Sequence, residues 1–175
     1  MYRDGRTPCV YRNGHYGAAL LCYAPVGFGL LVAGLESSAV VGGAIVLALA
    51  RTPDLDVRVP LISHRGITHT VWFALAVGAL CAGAGWVLAA PLGLGPAATV
   101  AALAGGAGAL SIGSHLLADA LTPMGIRPLW PLSSRRYSLE LVRADNWLAN
   151  QLLLGAGVFA VAAVVVATNP ALVAG

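Results

Sequence analysis

The run from Ile67 to Ala90, ITHTVWFALAVGALCAGAGWVLAA, carries no Asp, Glu, Lys or Arg and has apolar residues on every side of the helix it would form. Crossing the hydrocarbon layer of a bilayer takes about 20 helical residues, and this run exceeds that. A helix that is apolar all round has no face for water. The pattern extends outward: no charged residue occurs from Gly66 to Ala118, and none follows Asp145. Hydrophobic residues make up 58% of the 175-residue chain and charged residues 10%, which leaves too little polar surface to cover a water-soluble domain.

Five apolar stretches follow from this pattern: Gly17 to Leu35, Ala39 to Ala50, Ile67 to Ala90, Ala97 to Leu121 and Leu148 to Thr168. The expectation is an all-α, polytopic membrane helical bundle forming one domain over residues 1–175, with four clear spans. Ala39 to Ala50 is the short one, expected to be tilted or screened by its neighbours. Arginines sit in alternate connections: Arg3, Arg6 and Arg12 before the first stretch, Arg51, Arg58 and Arg65 between the second and third, and Arg127, Arg135, Arg136 and Arg143 between the fourth and fifth. Retained cytoplasmic loops carry such an excess, so the N-terminus is expected inside a cell or inner membrane. The first apolar run begins too late and runs too long for a signal peptide and reads as a retained span.

The net charge of +3 comes from these scattered arginines, not from one basic stripe, and argues against nucleic acid as a partner. Cys9, Cys22 and Cys81 have no regular spacing, and their odd count argues against a disulfide framework. Gly105, Gly106, Gly108 and Gly113 read as close helix packing, and Trp86, Trp130 and Trp147 as interfacial anchors.

The chemistry lies in His15, Asp54, Asp56, His64, Arg65, His69, His115 and Asp119, which include every histidine of the chain. The derived topology puts all eight at one end of the bundle, with His15 ahead of the first span. His115 and Asp119 are four apart and share a helix face. An acidic residue inside a span costs roughly 2.5–3.5 kcal/mol on insertion scales, and a cation shared with histidines offsets that cost. Carboxylate with imidazole suits zinc or manganese better than magnesium. The bland alternatives are capping by Asp54 and Asp56, headgroup anchoring by His64 and Arg65, and a buried His115–Asp119 pair.

The run Pro53-Asp-Leu-Asp, the block His64-Arg-Gly-Ile-Thr-His-Thr, and His115-Leu-Leu-Ala-Asp with Thr122-Pro-Met-Gly resemble a family of membrane-bound, metal-dependent hydrolase-like proteins, including LexA-binding inner-membrane members. More distantly, the order of histidines and aspartates is similar to that of zinc-dependent phospholipases C and related nucleases. That resemblance implies one ion held by Asp54 or Asp56, His69, His115 and Asp119, and a second held by His15 with a bridging Asp119. The chain lacks a later histidine pair for a third ion, so one or two ions are expected. The membrane family's pattern includes His64, as ligand or orienting residue, and Arg65, whose forked donors suit a phosphate oxygen.

The functional expectation is a metal-dependent hydrolase acting at the cytoplasmic face on a phosphoester, lipid-derived or small, with a metal-activated water. Asp54 or Asp56 accepts the proton and Arg65 stabilises developing charge. Two other classes stay open: an ion- or metal-handling transport protein, and a non-catalytic adaptor that binds a cytoplasmic protein through Thr122 to Asn146.

Overall fold

The apolar stretches form five α-helices, α1 (Arg12–Val32), α2 (Glu36–Leu49), α3 (Val71–Ala89), α4 (Ala97–Ala120) and α5 (Trp147–Thr168). The computed structural model describes residues 12–58, 65–169 and 171. Each helix is long and apolar enough to cross a membrane when α2 is counted with its continuation, Glu36–Val57. The described residues contain no β-strand beyond one isolated bridge, Ile126 with Tyr137. The chain is a helical membrane bundle.

Two boundaries differ from the sequence reading. The second segment is not a short element over Ala39 to Ala50: α2 starts at Glu36 and a 3-10 segment, Pro53–Arg58, carries it to the length of a span. Pro53 lacks an N–H and disfavours α geometry in the residue before it, so the α-helix stops and tightens. The first helix starts at Arg12 instead of Gly17, which brings His15 inside α1 instead of ahead of it.

Small residues set the helix spacing. α3 and α4 form a tight hairpin in which a Cβ on Gly78 would stand 3.0 Å from both Ala109 Cβ and Gly105 O. α1 and α5 cross where Gly17 lies against the Leu153 backbone, with no room for a Cβ, and where a Cβ on Gly157 would meet Gly17 O at 2.6 Å. With lipid outside, close backbone packing of this kind replaces the hydrophobic drive available in water. α2 lies against α1 and α4 around Tyr23, whose hydroxyl donates to Ala39 O. Buried Ala19, Tyr23, Val46, Ala50 and Ala107 form one cluster there, and Ala74, Val77 and Ile112 form another between α3 and α4.

The helix ends carrying the polar residues come together. The N-terminal ends of α1, α3 and α5 meet the C-terminal ends of α2 and α4, and every arginine among the described residues lies at this end. The connection from α4 to α5 folds back over it. Leu139 N donates to Ala120 O, Leu141 N to Leu121 O, and Val71 N to Pro128 O.

Candidate metal centre

Local structure aims each side chain. On α4, Ser111, His115 and Asp119 recur at four-residue spacing and share a face, with Ser111 Oγ donating to Val46 O of α2 at 2.6 Å and Asp119 meeting Arg65 and His69. The α2 helix ends at Leu49, and a helix end leaves carbonyls without intrahelical partners. One of them, Ala50 O, lies 2.8 Å from His115 Nδ1. The Pro53 turn brings Asp54 and Asp56 back toward the bundle. His69 closes a 3-10 turn just before α3, whose start is fixed by Thr70 Oγ1 accepting from Phe73 N.

His69 Nε2 and His115 Nε2 stand 3.2 Å apart. Each ring's other nitrogen faces an acceptor. His115 Nδ1 faces Ala50 O; His69 Nδ1 is 3.0 Å from Thr68 Oγ1 and 3.4 Å from Asp56 Oδ2. Thr68 gives its own proton to Asp56 at 2.8 Å, so its oxygen is open to accept from His69. These partners put the neutral tautomer's proton on Nδ1 in both rings and turn two Nε2 lone pairs toward one another. Such a contact is repulsive unless a cation lies between them.

Two carboxylate oxygens complete the cage. Asp119 Oδ2 is 3.3 Å from His69 Nε2 and 3.6 Å from His115 Nε2, and Asp54 Oδ1 is 3.8 and 3.5 Å from the same atoms. Donors at 2.0–2.2 Å from one tetrahedral centre stand about 3.3–3.6 Å apart, and the three separations among His69 Nε2, His115 Nε2 and Asp119 Oδ2, 3.2–3.6 Å, match that range, with Asp54 Oδ1 beside the two imidazoles. Asp119 Oδ2 is buried with no hydrogen-bond partner. A buried carboxylate oxygen without a donor is costly, and a cation at the cage centre would satisfy it. The donor set therefore fits a divalent ion of the zinc or manganese type.

Behind the cage lie its supports. Arg65 Nη2 donates to Asp119 Oδ1 at 2.6 Å, while Nη1 reaches Gly125 O at 3.0 Å and Thr122 Oγ1 at 3.3 Å. Arg65 holds φ at 60°, a left-handed conformation uncommon for a side-chain-bearing residue, and its N–H donates to Asp56 Oδ2 at 3.1 Å. Asp56 thus anchors both the Arg65 backbone and, through Thr68, the His69 ring. The three carboxylates of Asp54, Asp56 and Asp119 against one guanidinium leave two negative charges in this cluster, the charge a divalent cation balances. Burial acts to lower the His69 pKa, but the carboxylates of Asp119, Asp54 and Asp56 outweigh it and hold the imidazole above its ordinary range. In the absence of a metal, a proton is the cation this site attracts.

His15 stacks on His115, ring centroids 3.8 Å apart and 6° from parallel. Its Nε2 is 3.6 Å from Asp54 Oδ2, and neither of its buried ring nitrogens has a hydrogen-bond partner. His15, Asp54 and His115 form a second group of candidate donors. The carboxylate facing imidazoles with both oxygens is therefore Asp54. The resemblance to phospholipases implied a bridging Asp119, but its Oδ1 is held by Arg65.

The structure thus brings His15, Asp54, His69, His115 and Asp119 together as two adjoining donor groups that share His115. It places Asp56 on the far side of His69, and Arg65 against Asp119 and the Thr122–Gly125 turn. His64 lies outside the described residues. Sequence reasoning missed Thr68 and the Ala50 carbonyl as orienting groups. Thr68 lies within the quoted block, but a hydroxyl beside a histidine has no spacing rule of its own, and a main-chain acceptor has no sequence signal. Thr122 and Gly125 belong to a quoted block, and both bind Arg65; at Gly125, φ is 59° and a Cβ would collide with Tyr137 O.

No curated protein and no solved structure matches the chain. A family model described as YdjM inner membrane protein matches residues 14–174, a range that takes in all five helices' packed regions and the whole cage. The chain belongs to the YdjM inner membrane protein family.

Proposed function

We propose that the protein is a membrane-embedded, metal-dependent hydrolase in which His69, His115 and Asp119, with Asp54 beside them, hold a divalent cation, zinc or manganese, at the cytoplasmic face. The observation that carries the metal is the pair of Nε2 atoms turned toward one another beside a carboxylate oxygen with no donor. The hydrolase reading draws on the resemblance of the surrounding motifs to hydrolase-like membrane proteins, and its substrate class is a phosphoester. The cytoplasmic orientation draws on the arginines, all at the cage end among the described residues.

When bound, such an ion supplies Lewis acidity and lowers the pKa of a coordinated water. The chain's own residues do the rest. Thr68 with Asp56, and the Ala50 carbonyl, hold the Nδ1 sides of His69 and His115 and so turn both Nε2 atoms toward the cage. Arg65 fixes Asp119 so that only Oδ2 faces the cage; its guanidinium is committed there, which makes it a positioning residue. Asp54 has 14% of its side chain exposed, against 0–1% for the other three, and so is the cage residue that solvent reaches. Asp54 accepts the proton of the attacking water as the new P–O bond forms, and returns it to the ester oxygen as the old bond breaks. His15, stacked behind His115 and beside Asp54 Oδ2, orients that carboxylate or adds a donor for a second ion.

The test is turnover on a panel of phosphomonoesters and phosphodiesters by the protein in detergent or vesicles, with Asp54→Asn beside the parent. Hydrolysis that a chelator stops, that zinc or manganese restores, and that Asp54→Asn lowers by about 100-fold or more supports the reading. Bound metal with no turnover on any phosphoester would sink it and favour ion handling.

A further inference from the structure

We infer that His15, Asp54 and His115 form a transfer site through which a divalent cation passes from solvent to the buried centre of His69, His115 and Asp119. The two donor groups share His115, and within each the ligand atoms lie within 4.8 Å of one another. His115 has one nitrogen to give to both, Nε2, because its Nδ1 lies 2.8 Å from Ala50 O. The single lone pair of a neutral imidazole serves one ion at a time. The two groups are therefore successive stations for one ion, not two sites filled together.

Exposure sets where the ion enters. The side chains of His69 and His115 are 0% exposed and that of Asp119 1%, whereas Asp54 keeps 14%. Asp54 is thus the donor at which a hydrated ion arrives. Its carboxylate faces both groups: Oδ2 lies 3.6 Å from His15 Nε2, and Oδ1 lies 3.5 Å from His115 Nε2 and 3.8 Å from His69 Nε2. An ion held there exchanges His15 for His69 and Asp119 while keeping Asp54 and His115, so it is never released into the apolar bundle, where an unpaired charge is costly. The exchange runs inward because the ligands differ in strength. His69 has Thr68 and Asp56 behind its Nδ1, and Asp119 adds a charge whose Oδ2 has no hydrogen-bond partner. His15 lacks such support: neither of its buried ring nitrogens has a hydrogen-bond partner, and the ring stacks on His115 with centroids 3.8 Å apart. A partner behind a ligating histidine is worth about 10–100-fold in affinity, so His15 binds loosely enough to pass the ion on. Transfer rests on the metal centre of the proposed function and is independent of hydrolysis.

The experiment follows cobalt(II), a coloured stand-in for zinc, entering and leaving the whole protein in detergent by stopped-flow absorbance, and measures equilibrium affinity by competition with a chelator. His15→Phe keeps a ring stacked on His115 and removes both donors. It should slow loading and release by about tenfold each and leave affinity within about twofold, because a group used only in transit changes the barrier from both sides. Unchanged affinity also shows that the fold is kept. In Asp119→Asn the inner station is weakened and the ion rests at the outer one, so adding His15→Phe in that background should lower affinity by about tenfold or more. An equal fall in affinity on His15→Phe in both backgrounds would make His15 a permanent ligand and overturn the transfer site. Unchanged rates with unchanged affinity would overturn it too, as would two cobalt ions bound per parent chain. A parent that takes up no cobalt while keeping its helical circular dichroism would overturn the metal centre and the transfer site together. Turnover on a phosphoester, or its lack, moves none of these readouts.

Discussion

His69 and His115 approach each other Nε2 to Nε2 at 3.2 Å while both rings have Nδ1 against an acceptor. The two residues lie 46 positions apart in sequence, and three separate devices hold the contact: the α2 terminus, the Thr68–Asp56 pair and the α4 face. Replacing one imidazole removes a ligand and, in metal-free protein, a buried partner of the proton that His69 attracts. His115→Ala should lose tightly bound metal, and in metal-free form should unfold at a lower temperature than the metal-free parent, because a fully buried side chain and its contact with Ala50 O are lost. Metal titration and thermal unfolding of the two proteins check both halves.

Asp56 acts through His69 without facing the cage. Asp56→Asn and Thr68→Val should each weaken metal affinity by about 10–100-fold, the usual cost of losing a partner behind a ligating histidine. Asp119→Asn should cost more, because it removes a ligand charge. Competition with a chromophoric chelator reads the order, and an Asp56→Asn affinity as low as that of Asp119→Asn would make Asp56 a direct ligand.

Arg65 combines a left-handed backbone with a buried ion pair, and two substitutions separate these features. Arg65→Gly relaxes the backbone but frees Asp119 Oδ1; Arg65→Lys keeps a charge but loses the fork that spans Asp119, Thr122 and Gly125. Both should lower metal affinity. Glycine should recover part of the stability lost with the ion pair, about 1 kcal/mol. Thermal unfolding of the metal-free variants gives the comparison.

pH acts in opposite directions on the metal-free and loaded protein. In metal-free protein the His69 pKa is raised above an unfolded value of about 6.5. Its protonation therefore contributes stability that is fully present below that value and lost as pH rises through the folded pKa. Metal binding must displace the same proton, so affinity should rise over that same interval. The thermal shift produced by added zinc should grow from pH 6 to pH 8, an interval of about two units around the imidazole range. A shift independent of pH would contradict His69 as a ligand.

The α1–α5 crossing has no space for side chains at Gly17 and Gly157. Gly17→Leu should destabilise the protein by about 1–3 kcal/mol or more, the scale of an overpacked contact, whereas Gly155→Leu, at a glycine whose Cβ would meet nothing within 4 Å, should be close to neutral. Unfolding in detergent followed by circular dichroism distinguishes them.

Helix number and the clustering of polar residues at one end were legible because charge-free runs and arginine-rich connections are one-dimensional signals. His115 with Asp119 was legible from helical spacing alone. The length of α2 was not, because apolar content fades at Thr52 while the chain continues as a 3-10 turn after Pro53, set by local backbone sterics. Nor could the sequence distinguish Asp54 from Asp56, separated by one residue: the turn sends one carboxylate into the cage and the other behind His69. Arg65 suited a phosphate by its chemistry, and only the fold brings Asp119 within its reach.

The most direct measurement is the metal content of the purified protein by elemental analysis, beside a His115→Ala/Asp119→Asn double variant that retains its helical circular dichroism. The centre of His69, His115 and Asp119, with Asp54 beside them, predicts about one zinc or manganese per chain in the parent, with none above background in the variant. Parent and variant alike without metal, even after incubation with either ion, would contradict the account.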